Sequence, residues 1–148
     1  MKVEILSIKV SKCYPLRHKM LRKGKPLETC HFDGDNSKGT FHLGALVDKE
    51  IIGIISIYEK DLSKFKNSKG AQFRGIAVAS KYQRKGVASK LINYAQKETI
   101  KRINPKYIWL NGRISANNLY LDRGFKPIGN PFEIETIGIH QRFIKMIS

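Results

Sequence analysis

Between Phe73 and Ile103 the hydrophobic period changes once, from two to about 3.6. Residues 72–79 (QFRGIAVA) read as a strand, and Gly75 inside it suggests a bulge or a close backbone approach. Residues 80–86 (SKYQRKG) are a short polar turn. From Val87 onward Ala88, Leu91, Ile92, Ala95 and Thr99 form one stripe, opposed by Lys90, Asn93 and Lys97. Asn104-Pro105 ends that pattern. A strand that turns directly into a long half-apolar helix, starting at Gly86 or Val87, must lay that helix on a sheet. This excludes all-helical and all-β architectures.

The other segments agree. Strands are expected near 2–10, 40–47, 51–59, 106–111 and 141–148, and Asp48-Lys49-Glu50 joins two of them as a hairpin. Short helices are expected over 13–22, with Pro15 in the first turn, and over 115–122, with Ser115 as cap. Residues 23–39 read as loop. The element order is β-α-β-β-β-α-β-α-β-β, an α/β (α+β) layered fold, and 148 residues suit a single domain over 1–148. No apolar run approaches the ~18 residues of a membrane span. Glu4, Lys9 and Lys12 interrupt the N-terminus, so it does not read as a secretory signal. Cys13 and Cys30 form no disulfide framework, and a reducing cytoplasm is the default. His18, His31, His42 and His140 lack ligand spacing, so no metal site is expected.

Charge is the compositional outlier: 28 Lys and Arg against 12 Asp and Glu, a net +16. Such an excess attracts phosphorylated partners, or is simply a solvated lysine-rich surface. The turn before the long helix sharpens the first reading. Gln83-Arg84-Lys85-Gly86-Val87-Ala88-Ser89 places basic side chains and a glycine where the first N–H groups of a helix lack internal partners. It is neither a Walker A loop nor a dinucleotide fingerprint.

Gln83-x-x-Gly86-x-Ala88 resembles the Gln/Arg-x-x-Gly-x-Gly/Ala signature of the GNAT superfamily of acyl-CoA-dependent N-acyltransferases. About thirty residues on, Asn111 to Tyr120 leading into Gly124-Phe125 is similar to the family's Asn-x-x-x-x-Ala-x-x-Phe/Leu-Tyr-x-x-x-Gly-Phe block. The segment from Leu16 to Pro26 also looks like a subgroup of small bacterial members. The resemblance implies a mixed, mostly antiparallel central sheet flanked by helices, with a splayed strand at the acyl-CoA site. It implies acetyl-CoA as acyl donor, held at Ile76, Ala77, Val78, Gln83, Arg84, Lys85, Gly86, Val87, Ala88 and Ser89. Asn117 would contact the pantetheine arm, and Tyr120 would sit near the thioester sulfur as general acid.

The implied chemistry is aminolysis of a thioester through a ternary complex, with a Val78 N–H as oxyanion donor. Family members often carry a Glu in the splayed strand, but Gln72-Phe73-Arg74-Gly75 has no carboxylate. His140 is the leading candidate for the base, with Glu133, Glu135, Glu59 and His31 weaker. The acceptor is an unidentified amine, and the protein a monomer or homodimer. Two other readings stand beside this one: a basic nucleic-acid-binding module, whose usual signatures are missing, and a non-catalytic acyl-CoA-binding protein of the same fold.

Overall fold

Alternating β-branched runs pair across one sheet in the computed structural model, which describes residues 1–135 and 137–147. The strands are β1 (Glu4–Ile8), β2 (Phe41–Val47), β3 (Glu50–Glu59), β4 (Gly70–Val78), β5 (Tyr107–Arg113), β6 (Lys126–Ile134) and β7 (Gly138–Met146). Their order is β1-β2-β3-β4-β5-β7-β6. Neighbours are antiparallel except β4 and β5, which run parallel. The sheet is therefore mixed and mostly antiparallel, as expected.

One face carries the helix α2 (Val87–Arg102), where Leu91, Ile92 and Ala95 are fully buried in a cluster with Leu43, Ile55 and Leu110. The Leu91 and Ile92 side chains each contribute roughly 1.5–3 kcal/mol by leaving water, and the Ala95 methyl about 0.8 kcal/mol. The opposite face carries the segment expected to be helical over 13–22. It is an α-turn, α1 (Tyr14–Leu16), widening into a π-helical turn over Arg17–Leu21, and Cys13 and Leu16 pack on Ile54 and Ala77.

Six strands lie within a few residues of their expected positions. The seventh in the expected order is β6, an edge strand. Pro127, Gly129 and Pro131 hide it from a pattern search, and an edge tolerates them because its outer N–H groups have no ladder partner. Ser148, the expected end of the last strand, lies outside the described residues. The cap assigned to Ser115 is incorrect. Ser115 sits in a 3-10 turn, and α3 (Asn117–Leu121) begins after Ala116 with no side-chain cap.

Two irregularities position the site. Opposite β3, Arg74 pairs with Ser56 and Ala77 with Ile54, so Gly75 and Ile76 together face Ile55. Gly75 has φ +65°, a conformation strained for other residues, and forms the expected bulge. On the other side, β4 pairs with β5 only from Gly70–Tyr107 to Phe73–Leu110. Past that point the two strands part.

A buried charged cluster fastens the N-terminal layer to β3. Arg17, with no exposed surface, donates two hydrogen bonds to the Asp35 carboxylate at 2.7 and 3.0 Å. It also donates to Cys30 O and Ser56 Oγ, and Asp35 accepts from Tyr58 Oη and the Phe32 N–H. Burial alone would raise the Asp35 carboxyl, but the bonds from Arg17, Tyr58 and Phe32 outweigh it and hold it below its ordinary range. His42 links Ser56 Oγ to Asp35 O, and burial lowers its pKa, favouring the neutral ring.

Asp35→Ala leaves Arg17 buried and uncompensated, and should cost about 3–5 kcal/mol in urea unfolding. The double replacement Arg17→Met/Asp35→Leu should cost markedly less, because neither charge then remains. At the alkaline end, burial pushes the Cys13 thiol from 9.0 up to about 11. The folded state thus holds this proton more tightly than the unfolded chain. That share of stability is complete below pH 9 and fades as pH rises toward 11. Denaturant midpoints measured from pH 8 to 11 should fall less steeply in Cys13→Ala.

Candidate active site

The parting of β4 from β5 opens a cleft of about 750 Å³. Residues 74–78 of β4 form one wall and Asn111 to Arg113 of β5 the other. The turn before α2, the start of α3 and the N-terminal layer close its ends.

Backbone direction follows from register. The Ala79 N–H bonds to Ile52 O on the β3 side, at 2.8 Å. Alternation along a strand then turns the backbone groups of Val78 toward the cleft. The Val78 carbonyl accordingly accepts from Gln83 Nε2 at 3.0 Å. Gln83 thereby braces the turn against the end of β4.

The turn itself is a concave run of donors. Arg84 and Gly86 have φ of +61° and +79°, and Gly86 is the residue before α2. Alternating left- and right-handed residues point successive N–H groups into one concavity, which suits an anion. Among the described residues, the N–H groups of Arg84 to Ala88 bond to no acceptor. A Cβ on Gly86 would meet nothing within 4 Å, so the mouth of the turn is open.

The residues expected at the site divide as follows. Ile76, Ala77, Val78, Gln83, Arg84, Ala88, Tyr120 and His140 line the cleft together. Lys85, Gly86, Val87, Ser89 and Asn117 lie outside that lining. The Val87 side chain is buried in the core, Ser89 Oγ accepts from Arg123 Nη2 at 2.5 Å, and both can face the turn only through backbone. Asn117 Oδ1 is buried with no hydrogen-bond partner among the described residues. A buried acceptor left unpaired costs about 1–3 kcal/mol, and an incoming N–H would recover it.

Tyr120 packs against Phe143 and Phe125, with ring centroids 5.3 and 6.4 Å away. Its hydroxyl bonds to nothing among the described residues, and burial pushes its pKa up to about 12. It stays protonated throughout the neutral range. His140 is also buried, and its Nδ1 lies 2.9 Å from Gly138 O. A carbonyl only accepts, so Nδ1 carries a hydrogen, and in the neutral tautomer this fixes, Nε2 is the nitrogen with the lone pair. Of the weaker base candidates, Glu59 pairs with Lys69 at 3.1 Å and His31 stacks on Tyr14. Glu133 and Glu135 are exposed and do not line the cleft.

Sequence reasoning missed Phe32, Arg22 and Arg113, which also line the cleft. Arg74 entered that reasoning only as a place without a carboxylate. Among the described residues no cluster of three His, Cys, Asp or Glu is placed to hold a metal, and no helix is long and apolar enough to cross a membrane.

Comparisons with known proteins bear on this cleft. The family model described as an acetyltransferase (GNAT) domain matches residues 26–146. An uncharacterised N-acetyltransferase, YitI of Bacillus subtilis (strain 168), is 30% identical over 138 residues, covering 93% of this chain and 92% of that protein. Among solved structures, Escherichia coli ElaA superposes with TM-score 0.79 at 14% identity, over 97% of this chain and 99% of that one. Arabidopsis thaliana NAA60 in complex with acetyl-CoA superposes with TM-score 0.76 at 14% identity, over 99% of both. These structural likenesses concern the fold, whereas the family match and the Bacillus relative cover most of the sequence as well. On those two grounds the chain belongs to the GNAT acetyltransferase family.

Proposed function

We propose that this chain transfers an acetyl group from acetyl-CoA to a primary amine, both substrates being held at once in the β4–β5 cleft. The observation that carries this is the unpaired cleft-side edge of β4 running toward a turn of unbonded N–H groups. An edge of that kind can pair with an extended amide-bearing arm, and the turn can hold the phosphates at its end. The Arg84 to Ala88 amides would hold the pyrophosphate. The Ile76 and Val78 backbone would hold the pantetheine arm, and Asn117 Oδ1 would accept one of its amide N–H groups. The free thiols Cys13 and Cys30, both buried, agree with a cytoplasmic location.

Acetyl-CoA supplies an electrophilic thioester carbon. The amine nitrogen forms the new C–N bond there, the C–S bond breaks, and coenzyme A leaves as a thiolate. The chain's task is to orient the reactants, bind the oxyanion and move two protons. The Val78 N–H, turned to the cleft, is the oxyanion donor. His140 Nε2 takes the proton from the attacking amine. Tyr120 donates to the departing sulfur. A phenol near 12 facing a thiol near 8.5 makes complete transfer uphill by roughly 4–5 kcal/mol. Tyr120 therefore acts first as a hydrogen-bond donor, and the proton moves only as the C–S bond breaks in a site shielded from water.

Gly86→Glu should abolish acetyl-CoA binding in a calorimetric titration, because it places bulk and negative charge at the mouth of the turn. Gly86→Ala should keep affinity within a few-fold, since the site has room and the left-handed φ costs only about 1–2 kcal/mol of stability. Equal affinities for the Glu variant and wild type would exclude the turn as the phosphate site.

Tyr120→Phe keeps the ring packing and removes the hydroxyl. Its kcat should fall by about 10²-fold, with the KM for acetyl-CoA within a few-fold. A kcat within a factor of two of wild type would leave solvent as the proton source.

A further inference from the structure

The composition of the cleft does not match that of the surface. The chain has twenty lysines and eight arginines. Among the described residues, four of those arginines (Arg22, Arg74, Arg84 and Arg113) line the cleft, and no lysine, aspartate or glutamate does. A merely lysine-rich surface would not sort its cations this way. Arginine presents a planar fork that matches a carboxylate, whereas lysine offers a point charge. Arg84 belongs to the turn before α2 and so to the end that would take the donor's phosphates. The other three lie elsewhere.

Phe32 marks where two of them, Arg22 and Arg74, meet. Its ring centroid is 4.7 Å from the Arg74 guanidinium carbon and 5.2 Å from that of Arg22. The Arg17 guanidinium also covers this ring, at 4.1 Å, but its charge is committed to Asp35. Arg22 and Arg74 form no ion pair among the described residues, and neither does Arg113. Arg113 is paired in register with His140 across β5 and β7. Residues directly opposite across two strands share a face, so Arg113 lies beside the proposed base. Arg74 immediately precedes the Gly75 bulge. Burial, then Arg74 and Arg113, lower the pKa of Arg22, so the cluster repels itself and its own lining supplies no counter-charge.

We infer that the acceptor is an amine carrying a carboxylate, held by Arg22, Arg74 and Arg113 beside the Gly75 bulge, with its amino group directed to His140. This rests on the acetyl-transfer reading of the cleft. The carboxylate can be the α-carboxylate of a free amino acid or the side-chain carboxylate of an acidic first residue in a peptide. In either case the amine nitrogen gains the acetyl group and loses one proton to the base, and the carboxylate stays unchanged.

The test is thiol release from acetyl-CoA with matched acceptors: free amino acids, their carboxamides, simple alkylamines, and dipeptide amides beginning with Asp or Glu. Intrinsic reactivity favours the carboxamides, whose α-amine loses its proton near 7.7 and is largely neutral in mild base. A preference for the carboxylate must therefore come from the protein. The expected result is a kcat/KM higher by about ten- to a hundredfold for the carboxylate-bearing acceptor than for its carboxamide. Turnover of amino acids or of the acidic dipeptide amides identifies the source of the carboxylate. Arg74→Gln and, separately, Arg22→Gln should remove most of that preference by raising the acceptor KM. Both should leave the acetyl-CoA KM and the carboxamide rate within about twofold, and Arg74→Lys should restore part of it. If carboxamides or alkylamines are used as well as amino acids, the inference fails while the acetyltransferase reading stands. It also fails if the Gln variants raise the acetyl-CoA KM, because the arginines then serve the donor. If no amine releases thiol from a protein that binds acetyl-CoA, both fail.

Discussion

β4 stays paired with β3 on both sides of the Gly75 bulge and loses its pairing with β5 after Phe73. The rest of the molecule is arranged around that one-sided strand. Unpaired backbone in the middle of a seven-stranded sheet is costly when sealed from water. It persists here because the gap is open, bounded by the turn before α2 at one end and by the N-terminal layer at another. The Gly75 bulge works from inside β4. By placing two residues opposite Ile55, it bends the strand as it leaves β5. β4 and β5 are also the only parallel neighbours among the described strands.

The two faces of the sheet then take different tasks. On the α2 face, ordinary apolar packing holds Tyr120 beside Phe125 and Phe143 and sets the first turn of α2 against the end of β4. On the opposite face the chain uses a charged hub instead. Arg17 reaches Asp35, Ser56, Tyr58 and the Cys30 carbonyl, so one guanidinium ties α1, the loop after it and β3 together. The loop would otherwise have little to hold it, because its apolar side chains are few and scattered. Phe32 stays buried through this arrangement, stacked by the same arginine.

What could be read from the sequence follows from the range of each interaction. The α2 stripe, the hairpin around Asp48-Lys49 and the glycine-containing turn are local patterns, and they lie where periodicity places them. β6 escaped because prolines and a glycine mask its alternation, and only its edge position makes them acceptable. The end of the cleft formed by the turn before α2, proposed to take the donor, was legible as a pattern because its residues are nearly consecutive. The arginine end was not, because Arg22, Arg74 and Arg113 come from three elements and meet only once the sheet is assembled. Nothing local distinguishes Arg17 from the other basic residues, because its partner Asp35 lies eighteen positions later and meets it only in the folded chain.

The two sets of arginines should also respond differently to dissolved ions. Arg17 and Asp35 are sealed, with side chains 0% and 4% exposed, so mobile ions cannot come between them. The arginines of the open cleft lie within reach of solvent ions, whose screening length is about 10 Å at 0.1 M. Raising the ionic strength should therefore weaken the field that gathers an anion while leaving intact the wall on which Arg22 and Phe32 are mounted. On the proposed reading, capture of a carboxylate-bearing acceptor thus becomes sensitive to the ionic medium without the fold becoming so.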